Sequence, residues 1–233
     1  MKERIYSIAL SDALKKDCGC VLCELHKEFN NNALEYFLGP SLMEPDGREL
    51  TNENGFCDAH MNALLGSGHR LGLALMLETH VDTLIKKLKP RMKKGLFKEE
   101  YDFDASGAQI TKAFESCCIC NKIAKQIKDA AENLVYLWDK ESDFKEAFEK
   151  SYGLCLNHMG LVLSVCKNEL SVKKATEFTN TIFDIHRDKL QKHYNDLHEF
   201  TLSFDYRNKD KELSEDAKNS VTDAVRRLTK ATE

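Results

Sequence analysis

Apolar side chains recur along most of this chain at intervals of three and four residues, which is the spacing of one helix face. A clear example is Val81, Leu84, Ile85 and Leu88, followed by Pro90 where a helix would end. The chain has only 11 glycines and 3 prolines in 233 residues, too few for a turn-rich β fold. We therefore predict an all-α fold.

Short polar or glycine-containing turns separate the predicted helices. The predicted helices with two defined ends cover approximately 11–17, 21–38, 46–55, 69–89, 109–115, 142–153 and 171–200. Four more are predicted without exact limits: a short helix after Cys57, one that carries Ile127 to Trp138, a short helix after Cys155, and a last amphipathic helix from Ser214.

Two cysteine motifs each occur twice along this helical pattern. A C-x-x-C pair is formed by Cys20 with Cys23 and again by Cys117 with Cys120. In the second motif, a glycine and a large apolar residue come directly before C-x-x-H. Its first occurrence ends at His60. Its repeat ends at His158, and the gap from the first motif to the second is 33 residues in the first case and 34 in the second.

Three thiolates and one imidazole form a complete tetrahedral ligand set for zinc. The predicted metal ligands are Cys20, Cys23, Cys57 and His60 in the first half, and Cys117, Cys120, Cys155 and His158 in the second. All lie at predicted helix N-termini, where the positive end of the helix dipole favours thiolates. We predict two zinc ions per chain. An Fe–S cluster is the alternative, because the same thiolates bind iron.

The repeated motifs indicate an internal duplication. We predict two similar helical halves, each pinned by its own Cys3His metal site. The first repeat covers 1–95, a linker covers 96–107, and the second repeat covers 108–204. A tail with a short helix covers 205–233, and the halves are expected to pack as one compact unit.

Four further residues are candidates for chemistry outside the eight ligands. Cys18 and Cys118 lie beside predicted ligands and would make a site redox-responsive, although each is also explained as a neighbouring thiol that binds no metal. His80 and His186 occupy matching places in the two halves. They are candidates for a central site, or else hydrogen-bonded histidines of the core.

Charge and segment composition exclude several classes of protein. The formal net charge of −4 falls to about −6 with two zinc ions on six thiolates, which argues against nucleic-acid binding. No apolar run reaches the ~18 residues needed to cross a bilayer, and we expect no membrane association. An odd number of cysteines, 9, and an N-terminus without a secretory pattern favour a cytoplasmic protein with reduced thiols. We find no catalytic motif in the sequence, and we therefore favour a protein that is not an enzyme.

The motifs, taken together, resemble those of an uncharacterised bacterial family, domain-of-unknown-function family 6062. The resemblance covers nearly the whole chain and rests on Cys20-Val21-Leu22-Cys23, Gly55-Phe56-Cys57-Asp58-Ala59-His60, Arg70-Leu71-Gly72-Leu73-Ala74-Leu75 and Phe204-Asp205-Tyr206-Arg207-Asn208. It implies a cytoplasmic bacterial protein and supplies no catalytic residues.

Closed ligand sets without a catalytic motif favour a scaffold or interaction module that binds a protein partner. The alternatives are a thiol-based redox or metal sensor, suggested by Cys18 and Cys118, and an Fe–S protein.

Overall fold

A computed structural model describes residues 5–16, 19–94, 98–208 and 211–228, and within them the predicted all-helical fold is confirmed. The helices are α1 (Ser7–Lys15), α2 (Val21–Leu38), α3 (Pro45–Asn54), α4 (Asp58–Gly66), α5 (Arg70–Lys87), α6 (Phe103–Phe114), α7 (Cys118–Lys140), α8 (Ser142–Lys150), α9 (Leu156–Glu169), α10 (Val172–Leu202) and α11 (Glu215–Leu228). Short 3₁₀ turns cover Pro40–Leu42 and Tyr206–Asn208. In the part of the chain so described, no helix combines the length and apolar character needed to cross a membrane.

The chain divides into two compact units. The continuous unit is formed by Glu28–Gln126, and the split unit by Met1–Lys27 together with Ile127–Glu233. Helices α2 and α7 therefore each contribute residues to both units. The limits of these units fall inside helices, and the repeat boundaries read from the sequence stay a prediction.

The core of the split unit is built around aromatic rings from three helices. Trp138 of α7 meets Phe178 of α10 edge to face, with ring centroids 4.8 Å apart, and Phe148 of α8 stacks on the same ring at 6.5 Å. All three side chains are buried. The apolar stripe predicted on α7, from Ile127 to Trp138, is likewise buried.

The continuous unit packs α3 and α4 against α5. Leu73 and Met76 are the buried residues of α5, whereas Val81 and Ile85, on the apolar stripe read from the sequence, are exposed. Arg48 of α3 fixes this pair of helices, since its Nη2 donates to the Leu75 carbonyl oxygen at 2.8 Å.

The segment predicted as a linker, 96–107, contains strand β2 (Glu99–Tyr101) and the start of α6. Strand β2 pairs antiparallel with β1 (Met92–Lys94), which lies just before this segment, and the pair is a small departure from the all-α prediction. Helix α6 then begins at Phe103, six residues before the predicted start at residue 109. The reason is the cap: the Asp102 side chain accepts a hydrogen bond from the Ala105 N–H at 3.0 Å. The last helix begins as predicted, with Ser214 Oγ accepting from the Ala217 N–H at 3.1 Å.

Two glycines with positive φ precede the C-x-x-H motifs. Gly55 has φ +59° and Gly153 has φ +76°. Each also lies against a long helix, since an added Cβ would come within 2.9 Å of His80 Nε2 at Gly55 and of Ile185 Cγ2 at Gly153. Glycine is therefore required at both places by conformation and by space.

We expect Gly153→Ala to lower the free energy of unfolding by about 2–4 kcal/mol. The left-handed backbone costs about 1–2 kcal/mol for a residue with a Cβ, and crowding against the β-branched Ile185 adds a comparable penalty. Chemical denaturation followed by circular dichroism measures the change.

Gly68→Ala is the matched control for this substitution. Gly68 has φ +80°, but an added Cβ would meet nothing within 4 Å, so only the backbone penalty applies. Equal destabilisation by the two substitutions would show that the contact with Ile185 does not matter.

Candidate metal centres

Four of the predicted ligands form a cluster within the split unit, which we call centre 1. It consists of Cys20, Cys23, Cys155 and His158, and all of its donor atoms lie within 4.8 Å of one another. His158 Nδ1 is 3.4 Å from each of the three sulfurs, and the sulfurs of Cys23 and Cys155 are 3.6 Å apart.

The other four predicted ligands form centre 2 within the continuous unit. It consists of Cys57, His60, Cys117 and Cys120, again with all donor atoms within 4.8 Å. His60 Nδ1 lies 3.1 Å from the sulfur of Cys57, 3.4 Å from that of Cys117 and 3.3 Å from that of Cys120. The sulfurs of Cys57 and Cys120 are 3.7 Å apart.

The prediction that each half supplies all four ligands of one site is wrong. The C-x-x-C pair of the first half meets the C-x-x-H pair of the second half in centre 1, and the reverse holds in centre 2. Helix length favours the exchange. Helix α7 carries the chain about 30 Å from Cys120 to Lys140, whereas the 9 residues of α8 span only about 13 Å, so α8 alone does not bring the chain back to Cys120.

All eight ligands occupy the same two positions of a helix. The first residue of each pair lies at the N-cap and the second at the third helical position of α2, α4, α7 or α9. Cys57 and Cys155 have the extended backbone of an N-cap, with ψ 167° and 162°. At the start of α2, the Cys20 carbonyl oxygen accepts from the Glu24 N–H at 3.2 Å. These are the positions whose side chains face each other in a capping box, and here they aim two donors at one point.

The donor spacing fits a single tetrahedral ion. Zinc–sulfur bonds of about 2.3 Å and zinc–nitrogen bonds of about 2.0–2.1 Å give a tetrahedron with S···S edges near 3.8 Å and S···N edges near 3.6 Å. The measured S···S distances of 3.6 and 3.7 Å, and most of the S···N distances at 3.3–3.4 Å, lie close to these values. The residues present therefore fit a metal ion with four protein ligands.

A hydrogen bond that the sequence did not reveal orients the imidazole of centre 2. His60 Nε2–H donates to Asn30 Oδ1 at 2.9 Å. This bond places the proton on Nε2 and leaves the Nδ1 lone pair directed at the sulfurs, as a metal ligand requires. Asn30 is an ordinary polar residue of α2, and no motif in the sequence distinguishes it.

The two centres differ in their access to solvent. In centre 1, Cys20, Cys155 and His158 are buried, and Cys23 is half-buried. In centre 2 only Cys117 is buried, Cys57 and His60 are half-buried, and Cys120 is exposed. Centre 2 is thus the one that a reagent in solution can reach.

Protonation equilibria would make metal binding in centre 1 pH-dependent. Burial disfavours the charged imidazolium of His158, but hydrogen bonds with Cys155 and Cys20 outweigh it and raise the pKa of His158 to about 9. The hydrogen bond with Cys155 also raises the pKa of the Cys23 thiol. A metal bound at Nδ1 requires the neutral ring, so binding at neutral pH would displace the protons of His158 and Cys23.

Of the remaining candidate residues, Cys118, His80 and His186 are described by the structure and belong to neither centre. Cys118 is buried beside Cys117, and burial, followed by the nearby Cys117, raises the pKa of its thiol to about 12. Cys18 lies outside the described residues. His80 Nδ1–H donates to the Asn52 carbonyl oxygen at 3.0 Å in the continuous unit, whereas His186 belongs to the split unit. A central site formed by His80 and His186 stays a prediction, as does redox chemistry at Cys18 and Cys118.

We expect Asn30→Leu to weaken metal binding at centre 2 by about 10–100-fold, because the imidazole loses the hydrogen bond that orients it. Competition with a chromophoric chelator measures the affinity of each centre. Asn30→Asp keeps an oxygen acceptor and is expected to bind metal nearly as well as the unsubstituted protein. Equal affinities for the leucine and aspartate variants would exclude this role for Asn30.

Comparison with known proteins gives one match. A family model, described as a family of unknown function (DUF6062), matches residues 1–233. Searches of curated proteins and of solved structures find no similar protein. The match covers every ligand of both centres and confirms the resemblance seen in the motifs. The chain belongs over its whole length to the family of unknown function DUF6062.

Proposed function

We propose that the protein binds one zinc ion in each centre, that both ions are structural, and that the folded chain serves as a scaffold or interaction module for a protein partner. The observation that carries this proposal is the donor geometry: four protein ligands converge on one point in each centre. Such a closed set leaves no coordination position for a substrate or a catalytic water.

The spacing of the donors also favours a single ion over an Fe–S cluster. In a [4Fe–4S] cluster each protein ligand binds a different iron, so the ligands stand farther apart than those of one ion. The donors here all lie within 4.8 Å. Three thiolates and an imidazole in tetrahedral arrangement are typical of structural zinc.

The place of centre 1 in the chain supports a structural role. The split unit consists of two chain segments with the whole continuous unit between them in sequence. Cys20 and Cys23 belong to the first segment, and Cys155 and His158 to the second. An ion in centre 1 therefore closes a loop of 132 residues between Cys23 and Cys155. Closing a loop of this size lowers the conformational entropy of the unfolded chain, which stabilises the folded state by several kcal/mol.

The state of the thiols supports the expected cytoplasmic location. All eight cysteines in the described ranges are free. Thiols held 3.6–3.7 Å apart persist, and remain available to metal, in a reducing compartment.

We also propose that the two halves arose by duplication. The support is local: in both halves a positive-φ glycine precedes the C-x-x-H pair, and all four ligand pairs occupy the same helix positions. The exchange of ligand pairs between halves is then symmetrical, since each half gives one pair to each centre.

Paired cysteine substitutions test the metal assignment and the exchange together. Cys20→Ser with Cys155→Ser removes two ligands from centre 1 only, so this variant is expected to keep one tightly held zinc ion. Cys20→Ser with Cys57→Ser removes one ligand from each centre and is expected to keep none that resists a chelator. Elemental analysis after chelator treatment counts the ions, and circular dichroism checks that both variants remain helical.

The opposite result, with the tightly held ion in the Cys20→Ser, Cys57→Ser variant, would mean that each half binds its own ion. Iron with sulfide in protein purified without oxygen, accompanied by a broad visible absorption band, would replace zinc with an Fe–S cluster.

A second candidate function, a thiol-based redox or metal sensor, is favoured by the exposure of Cys120. Peroxide would oxidise the Cys120 thiolate to a sulfenic acid and release hydroxide. The Cys57 thiolate, with its sulfur 3.7 Å away, would displace a second hydroxide to form a disulfide, and the ion would leave. A thiol reductant would reduce the disulfide, becoming oxidised to its own disulfide, and would restore both cysteines. Cys118 is too deeply buried to be the thiol that is attacked first.

For a sensor, we expect peroxide to release one zinc ion well before the other, because only centre 2 is accessible. A zinc-responsive dye follows the release. The Cys20→Ser, Cys155→Ser variant keeps only centre 2 and should show the fast phase alone. The Cys57→Ser, Cys117→Ser variant keeps only centre 1 and should show the slow phase alone. Release of both ions at one rate would remove the sensor hypothesis.

A further inference from the structure

Helix α6 turns its polar face towards its own unit. Ser106 Oγ accepts from the Arg91 N–H at 2.9 Å, and Gln109 Nε2 donates to the Lys87 carbonyl oxygen at 2.6 Å. Two residues beyond the helix, Ser116 Oγ donates to Asn54 Oδ1 at 2.7 Å. Hydrogen bonds, rather than apolar packing, therefore hold this helix in place, and none of its residues is buried.

The apolar residues of α6 lie on another face, in solvent. Phe103, Gly107, Ile110 and Phe114 recur at intervals of four, three and four residues and so form one stripe. Phe103 is 80% exposed, Ile110 52% and Phe114 70%. This is the reverse of the usual arrangement, in which a surface helix buries its apolar stripe.

The hairpin extends this surface. The ring of Tyr101 lies 6.5 Å from that of Phe103, and Met92 is the cross-strand partner of Tyr101, on the same face of the hairpin. Both side chains are exposed. We call Met92, Tyr101, Phe103, Gly107, Ile110 and Phe114 the α6 strip.

We propose that the α6 strip is a homodimer interface in which α6 packs antiparallel against α6 of a second copy of this chain. The order of residues supports this partner. A two-fold axis between Ala108 and Gln109 places Phe103 opposite Phe114 of the second copy, and Gly107 opposite Ile110. Such self-complementarity is what a two-fold interface requires.

Gly107 provides the space that the second copy needs. A Cβ added at Gly107 would meet nothing within 4 Å in its own chain, and φ there is not positive, so the fold itself does not require glycine. Glycine in a helix interior is also unfavourable. Opposite Ile110 of a second copy, the missing side chain allows close approach of the two helices.

The area of the strip suits a dimer of modest affinity. With aromatic side chains presenting about 150–250 Å² each, the exposed fractions of the strip amount to roughly 600 Å² per copy. Two copies would then bury roughly 1,200 Å², at the lower end of specific interfaces. We expect a dissociation constant in the micromolar range for the metal-saturated protein.

Sedimentation equilibrium of the metal-saturated full-length chain, over a concentration series, tests the proposal. The expected result is a monomer–dimer equilibrium that Gly107→Leu weakens by about tenfold or more, because the new side chain meets Ile110 of the second copy. The same substitution should leave thermal stability unchanged or raised, since it improves helix propensity. Leu71→Ser is the matched control: Leu71 is 76% exposed in the same unit but lies off the strip, and the equilibrium should not change.

A charge-exchange experiment tests the antiparallel pairing. Phe103→Glu and Phe114→Lys should each abolish the homodimer. Mixed together, the two variants should form a heterodimer, because the carboxylate at position 103 of one chain then faces the ammonium at position 114 of the other. A monomer at all concentrations, a dimer insensitive to Gly107→Leu, or no association in the mixture would each overturn the proposal.

Discussion

The structure depends on pairs of helix N-termini that are brought together at one point. Such an arrangement is unfavourable by itself, because each terminus carries about half a positive charge and N–H groups without helical partners. Three thiolates and one divalent cation in the proposed sites carry a net charge of −1, which nearly cancels the two half-charges. Thiolates at the N-cap and donors at the third helical position thus make the junction of two helix starts stable, provided that the ion is present.

The two centres differ in the length of the chain loop that each one closes. Centre 2 joins residues 63 apart in sequence, Cys57 and Cys120, inside one continuous unit. Centre 1 joins residues 132 apart and links the two chain segments of the split unit. The smaller loop lies within the larger one along the chain. The buried ligand set therefore belongs to the centre that closes the longer loop, and the exposed Cys120 belongs to the centre with the shorter one.

The sequence was sufficient for the local part of each site and not for its assembly. The motifs, each made of two residues three positions apart, predicted the eight side chains that cluster and their place at helix N-termini. That these side chains bind a metal stays a prediction. Which pairs meet depends on the path of the chain between them, through the 23 residues of α7 and the 9 residues of α8, and the motifs themselves do not contain this information. The bond from His60 to Asn30 was not predicted, because a single asparagine 30 residues away has no recognisable pattern.

The misplaced start of α6 and the unusual polarity of that helix have a common cause. Sequence patterns identify helices by the apolar stripe that each contributes to the core of its own chain. A helix fixed by Ser106, Gln109 and the cap at Asp102 contributes no such stripe, so its segment has the composition of a linker. Phe103, Ile110 and Phe114 are nevertheless present, at helical spacing, and remain outside the core. Apolar residues that the core of a chain does not use are explained most simply by a partner, and their arrangement here is the one that a second copy would match.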